Sequence, residues 1–133
     1  MDCGGTSVWV ASGGHESDWG KGYMVDGVFS SQEGSWTTHN RGNTPAFDTI
    51  TDYVTTKVDP NNTNIAYIGT WGGGLLKFEN NELTTVYDKN NSSLQPWTNA
   101  QALTIASGLD FDSNHNLWVA NSGAPNMLSV MKN

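Results

Sequence analysis

One short pattern occurs three times in this chain, and it limits the possible folds more than any other feature. Val8-Trp9-Val10-Ala11-Ser12, Ala66-Tyr67-Ile68-Gly69-Thr70 and Leu117-Trp118-Val119-Ala120-Asn121 each run aliphatic, aromatic, β-branched, small, small polar. Glycines follow each copy: Gly13-Gly14, Gly72-Gly73-Gly74 and Gly123. The aromatics lie about 50–60 residues apart, near the period of one blade in a β-propeller. The flanks repeat too. Thr56-Lys57-Val58-Asp59-Pro60-Asn61-Asn62 precedes the second copy, and Gly108-Leu109-Asp110-Phe111-Asp112-Ser113-Asn114 precedes the third. Downstream, residues 28–38 align without gaps on residues 75–85.

One unit reads as four strands: a near Val54–Val58, b near Ile65–Thr70, c near Leu75–Glu79 and d near Leu83–Tyr87. Asp59-Pro60-Asn61-Asn62 and Asn80-Asn81 mark tight turns, because asparagine tolerates the positive φ that short hairpins require. The Trp71–Gly74 stretch reads as the b–c turn. Strand b is apolar on both faces, as an inner strand between packed sheets should be. The expected fold class is all-β: a propeller fragment of about two and a half four-stranded antiparallel blades, with repeat units near residues 1–50, 51–105 and 106–133. The chain reads as opening on a strand b, with no strand a before it, and as ending inside a c–d hairpin. About ten strands result. On that count two such chains do not join in strand phase, and the missing blades belong to a larger protein.

Composition narrows the function classes. The net charge is −7, with only six Lys and Arg, so a nucleic-acid backbone would be repelled. No apolar run reaches the ~18 residues of a spanning helix. The residues after Met1 have no secretory pattern. Six Trp, four Tyr and four Phe supply a core, which argues against disorder. Cys3 is the only cysteine and has no activating neighbour.

Candidate sites are sparse. Trp71, Gly72 and Gly73 form a possible ligand platform, in which an aromatic face stacks on a sugar while glycine exposes backbone amides. Trp19 joins it from the long first b–c connection, Gly13 to Gly27, which also holds His15, Glu16, Asp18, Lys21 and Tyr23. The competing reading is that Trp71 packs between blades. The triple glycine is no phosphate loop, since neither a helix nor Gly-Lys-Ser/Thr follows it. Asp110, Asp112, Asn114 and Asn116 mimic the start of a calcium loop, but the glycine and glutamate that such a loop needs are replaced by His115 and Asn121. A capped hairpin turn is expected there, with His115 under strain if its φ is positive. His15, His39 and His115 fall in separate segments and read as surface-loop residues, not metal ligands. No nucleophile elbow occurs. No catalytic residue, metal or cofactor is expected.

The stretch Ile65-Ala66-Tyr67-Ile68-Gly69-Thr70-Trp71-Gly72-Gly73-Gly74-Leu75 resembles the blade repeat of the two-component regulator propeller families, and Asp112 to Ala120 resembles their companion Asp-x-x-Gly-Asn-Leu-Trp stretch. Two groups carry such repeats: glycan-sensing periplasmic regions of hybrid two-component regulators in Bacteroidetes, and PorZ-like proteins of the type IX secretion system. Val58 to Asn62, Leu75 to Phe78 and Asn90 to Gln95 look more like the second group. That resemblance implies a non-catalytic binding or assembly module in the cell envelope, periplasmic or at the outer-membrane surface. Its implied partners are further blades or domains, secretion proteins, and lipopolysaccharide or another glycan. The alternatives are the glycan sensor and a fragment of a propeller enzyme such as a lyase.

Overall fold

The computed structural model describes residues 1–133. It is all-β, built from three antiparallel sheets in chain order. Sheet I holds β1 (Asp2–Gly4), β2 (Ser7–Ala11), β3 (Val28–Gln32) and β4 (Ser35–His39). Sheet II holds β5 (Tyr53–Val58), β6 (Ile65–Gly72), β7 (Leu75–Glu79) and β8 (Glu82–Tyr87). The short β9 (Thr104–Ile105) pairs with the end of β6, and sheet III holds β10 (Gly108–Phe111), β11 (Leu117–Ala120) and β12 (Leu128–Met131). Each sheet is a meander in which every strand pairs with the next. No helix is long and apolar enough to cross a membrane.

The repeat survives as register. Trp9 lies opposite Asp2 and Ser30, Tyr67 opposite Lys57 and Lys77, and Trp118 opposite Asp110 and Val130. All three aromatics therefore occupy one position on the second strand of their sheet. The c–d hairpins of sheets I and II have two-residue turns, Glu33-Gly34 and Asn80-Asn81. All four residues have positive φ, from 49° to 85°, as a type I′ turn requires.

Three expectations need correcting. The chain does have a strand a at its start: β1 pairs with β2, and the Asp2 carboxylate accepts a hydrogen bond from Val58 N at 2.8 Å, tying β1 to sheet II. The strands number twelve, not ten. The ungapped alignment fails inside strand d, because the register between β7 and β8 slips by a one-residue bulge after Lys77–Thr85.

Alternation along β6 explains the layering. Ala66 and Ile68 face sheet I and pack with Trp9, Val28, Tyr53, Leu76 and Phe78. Tyr67 turns the other way and packs with Leu75, Ala106, Leu117 and Val119 of the second core. A strand buried on both faces must be apolar throughout, which is why β6 lacks polar alternation.

Candidate functional site

The long connection after β2 folds back over the neighbouring sheet. The Gly13 amide bonds Tyr53 O, and the Met24 amide donates to the Asp52 carboxylate at 2.8 Å. Between these anchors, an isolated bridge from His15 to Lys21 closes a small hairpin. Its tip carries Trp19 at φ 67°, held by the Trp19 N to Glu16 O bond.

This hairpin meets the end of β6. The Trp71 indole donates to Trp19 O at 2.8 Å. The His15 ring touches both indoles, 4.5 Å from each by ring centroids, and is stacked on Trp19 at 23°, while the two indoles lie 6.0 Å from each other. Trp71 is only 6% exposed, whereas Trp19 is 61% exposed. The three rings thus form a triangular cluster in which Trp71 is buried and Trp19 and His15 are open to solvent. Lys21 flanks it: its Nζ lies 5.3 Å over the Tyr23 ring, and the lysine side chain reaches Gly72.

The structure brings Trp19, Trp71 and Gly72 together but gives the glycines less freedom than an open platform needs. Trp71 and Gly72 are not turn residues; they continue β6 and pair with Ile105 and Thr104. The Gly73 amide donates to Thr70 Oγ1, and the Gly74 amide to Thr104 O. His15, which sequence reasoning set aside, is the ring that joins the two tryptophans. Its only sequence signal was its place in an unusually long connection rich in aromatic and charged residues.

His39 requires a correction. It is not a surface-loop residue but is buried between sheets I and II, stacked on Trp9 with centroids 5.4 Å apart and edge-on to Phe78. Its Nε2 lies 3.0 Å from Ser30 Oγ, and Ser30 Oγ donates to Asn81 Oδ1 at 2.5 Å. With the serine proton given to Asn81, the His39 nitrogen is placed as a donor, shared between Ser30 Oγ and Asn81 Oδ1, which lies 3.2 Å away. It cannot act there as a base that activates a nucleophile. Ser30–His39–Asn81 is a tie between sheets.

Burial holds the His39 pKa below its ordinary value, partly opposed by the Asn81 bond. An unfolded chain therefore takes up a proton at higher pH than the folded one does. The stability His39 leaves intact is fully present above the unfolded pKa and declines as pH falls through and below about 6.5. Thermal unfolding should show the melting temperature falling between about pH 7 and pH 5, and His39→Gln should flatten that fall. An unchanged slope in the variant would remove His39 from this role.

The Asp112 turn is capped by its own donors. Asp112 accepts from Asn114 N, Asn116 N, Asn116 Nδ2 and Trp118 Nε1. The bonds from the Asn116 side chain and then Trp118 pull its pKa down to about 2. His115 has φ 64°, and its Nε2 sits 3.1 Å from the Asp59 carboxylate, linking equivalent turns of sheets II and III. No group of three or more His, Cys, Asp or Glu side chains converges as a metal site would.

No protein-family model matches the sequence. No curated protein matches it either. A solved structure does. It is PorZ, described as an essential bacterial surface component of the type IX secretion system of human oral-microbiomic Porphyromonas gingivalis. The likeness has a TM-score of 0.76 at 19% identity, over 96% of this chain and 17% of that one. At that identity it is a likeness of fold, and this chain spans about a sixth of the length of that protein.

Proposed function

We propose that the chain is a non-catalytic, PorZ-like binding and assembly module of type IX protein secretion at the bacterial cell envelope. Its repeat units run near residues 1–50, 51–105 and 106–133, and its ligand face is the cluster of Trp19, His15 and Trp71 beside Gly72 and Gly73. The observation that carries this reading is the likeness of fold, with which the resemblance of the repeat signature agrees. The repeat signature resembles PorZ-like sequences, and the fold matches a segment of PorZ over nearly the whole chain.

The cluster suits a glycan. An exposed indole braced from behind by two rings keeps one face for a sugar ring at little conformational cost. Lys21 adds a cation beside it, offset by Glu16 and Asp18 on the same hairpin, so charge gives no preference for an anionic sugar over a neutral one.

Titration with purified lipopolysaccharide, followed by tryptophan fluorescence, tests this. Saturable binding is expected. Trp19→Ala should weaken it roughly tenfold or more, the size of a lost aromatic anchor, while leaving the melting temperature nearly unchanged. Trp71→Ala should weaken binding and lower stability together, because Trp71 is the buried base. Binding that survives Trp19→Ala would move the ligand site elsewhere, and no saturable binding by the wild type would overturn the glycan reading.

A further inference from the structure

Asp52 is 0% exposed, and none of the three ion pairs in the chain includes it. A buried carboxylate without a cation is costly unless hydrogen bonds hold it. Its φ is 60°, a conformation that glycine takes freely and most other residues take at a cost. Three of its four hydrogen bonds lead toward the aromatic cluster. Its amide donates to Met24 O at 3.0 Å, its carbonyl accepts from Trp71 N at 2.8 Å, and its Oδ1 accepts from Met24 N at 2.8 Å. The fourth, from Thr51 Oγ1 to Oδ2 at 3.0 Å, fixes the plane of the carboxylate. The backbone carbonyl is committed to Trp71, and the carboxylate stands in for it opposite Met24. Glycine would relax the φ but has no acceptor to offer Met24. Gly22 gives the carboxylate its room, since a Cβ there would lie 3.3 Å from Oδ1. The other foot of the hairpin is tied to the next residue, where Tyr53 O accepts from Gly13 N. The tip is held by one side-chain bond, Trp71 Nε1 to Trp19 O.

We propose that Asp52 is the latch of the ligand hairpin. Its carboxylate holds residues 13–27 against the end of β6. When that bond breaks, the hairpin lifts as a unit and carries Trp19 and His15 off Trp71. This rests on the reading of the cluster as the ligand face, and adds the regulation of that face, which exists only in the latched state. A ligand that uses the assembled cluster binds in proportion to the latched population, and by linkage draws the hairpin shut.

Limited digestion with trypsin tests the latch, because Lys21 lies in the hairpin and its bridge to His15 keeps the chain folded there. Asp52→Gly keeps both backbone bonds and relieves the φ, so it removes the carboxylate alone. Cleavage after Lys21 should then speed up by about tenfold or more, the factor for a lost charge-assisted hydrogen bond. Cleavage after Arg41, Lys57 and Lys77 should not change. Asp52→Asn restores an acceptor in a residue that tolerates positive φ, and should return Lys21 to near wild-type resistance. Equal rates at Lys21 in wild type and Asp52→Gly would overturn the latch. So would a rise at all sites together, which marks loosening of the whole fold. Should Asp52→Gly fail to fold by circular dichroism, hydrogen exchange on the wild type decides. The Met24 amide and the Trp71 indole N–H should exchange at a common rate, faster than the amides of β6, and exchange only in step with β6 would overturn the proposal. Purified lipopolysaccharide tests the underlying reading separately. Protection of wild-type Lys21 supports both, whereas no protection, with Asp52→Gly still cut selectively, removes the glycan from this face and leaves the latch standing.

Discussion

Replacing Trp9 with alanine is expected to destabilise the chain by roughly 3–5 kcal/mol, the range for a fully buried large aromatic. Trp9 is 1% exposed and sits where three rings meet: His39 stacks on it at 5.4 Å and Phe78 lies 4.9 Å away. Ala66 and Ile68 across the interface stand on a strand held on both sides by β5 and β7, so the walls cannot close in. Part of the loss follows from His39, whose burial is tolerated because a flat partner covers its ring; with the indole gone, water reaches the Ser30–His39–Asn81 tie. Denaturant unfolding measures the effect as a drop in midpoint at constant slope. A loss under about 1 kcal/mol, the level of an ordinary surface change, would mean that the sheets do not depend on this contact.

Gly74→Ala is expected to cost about 2–5 kcal/mol, and the reason can be separated into two parts by comparison. Gly74 has φ +84°, which costs an L-residue about 1–2 kcal/mol. Its Cβ would also fall 2.1 Å from Tyr87 O, so the top of β8 must move away from β7, adding an overpacking cost of about 1–3 kcal/mol. Gly34 has nearly the same φ, +85°, with nothing within 4 Å of the place a methyl group would take. Gly34→Ala should therefore show the conformational cost alone. Gly14, with open space around it and no positive φ, should accept alanine with almost no change. Three melting curves give the ordering Gly74, Gly34, Gly14 from most to least damaging. Equal losses at Gly74 and Gly34 would show that strand d is not held against this glycine.

The strands of sheet II were legible because their alternation and turn residues are local. Strand c, Leu75–Glu79, is found at its expected ends, and strand d begins one residue early. What was not legible depends on neighbours distant in sequence. β6 runs on through Trp71 and Gly72 because Thr104 and Ile105 come alongside, and no repeat period encodes that pairing. β1 escaped notice because Asp2-Cys3-Gly4 has no strand-forming residue pattern; it is held by a carboxylate reaching Val58 in the next sheet. His39 read as a loop residue because it falls just past the aligned segment, which stops at Thr38. Its position opposite Val28 is the one where sheet II has Tyr87 opposite Leu75, an aromatic at the matching place that a bulge had shifted out of alignment. In the candidate site, Trp19 and Trp71 were named from chemistry alone, but which of them is open to a ligand depends on the fold of the first connection.

The Asn80-Asn81 turn carries a consequence for any attempt to improve this protein by rule. Glycine is the easiest residue for the second place of such a turn, and sheet I has it as Gly34. Asn81 instead adopts φ 68° with a side chain, and that side chain is the acceptor for Ser30 in the adjacent sheet. A consensus or turn-optimising substitution to glycine would relax one hairpin while cutting a strut between two blades. Local ease and lateral cohesion are set against each other at a single residue, and in this chain cohesion has prevailed.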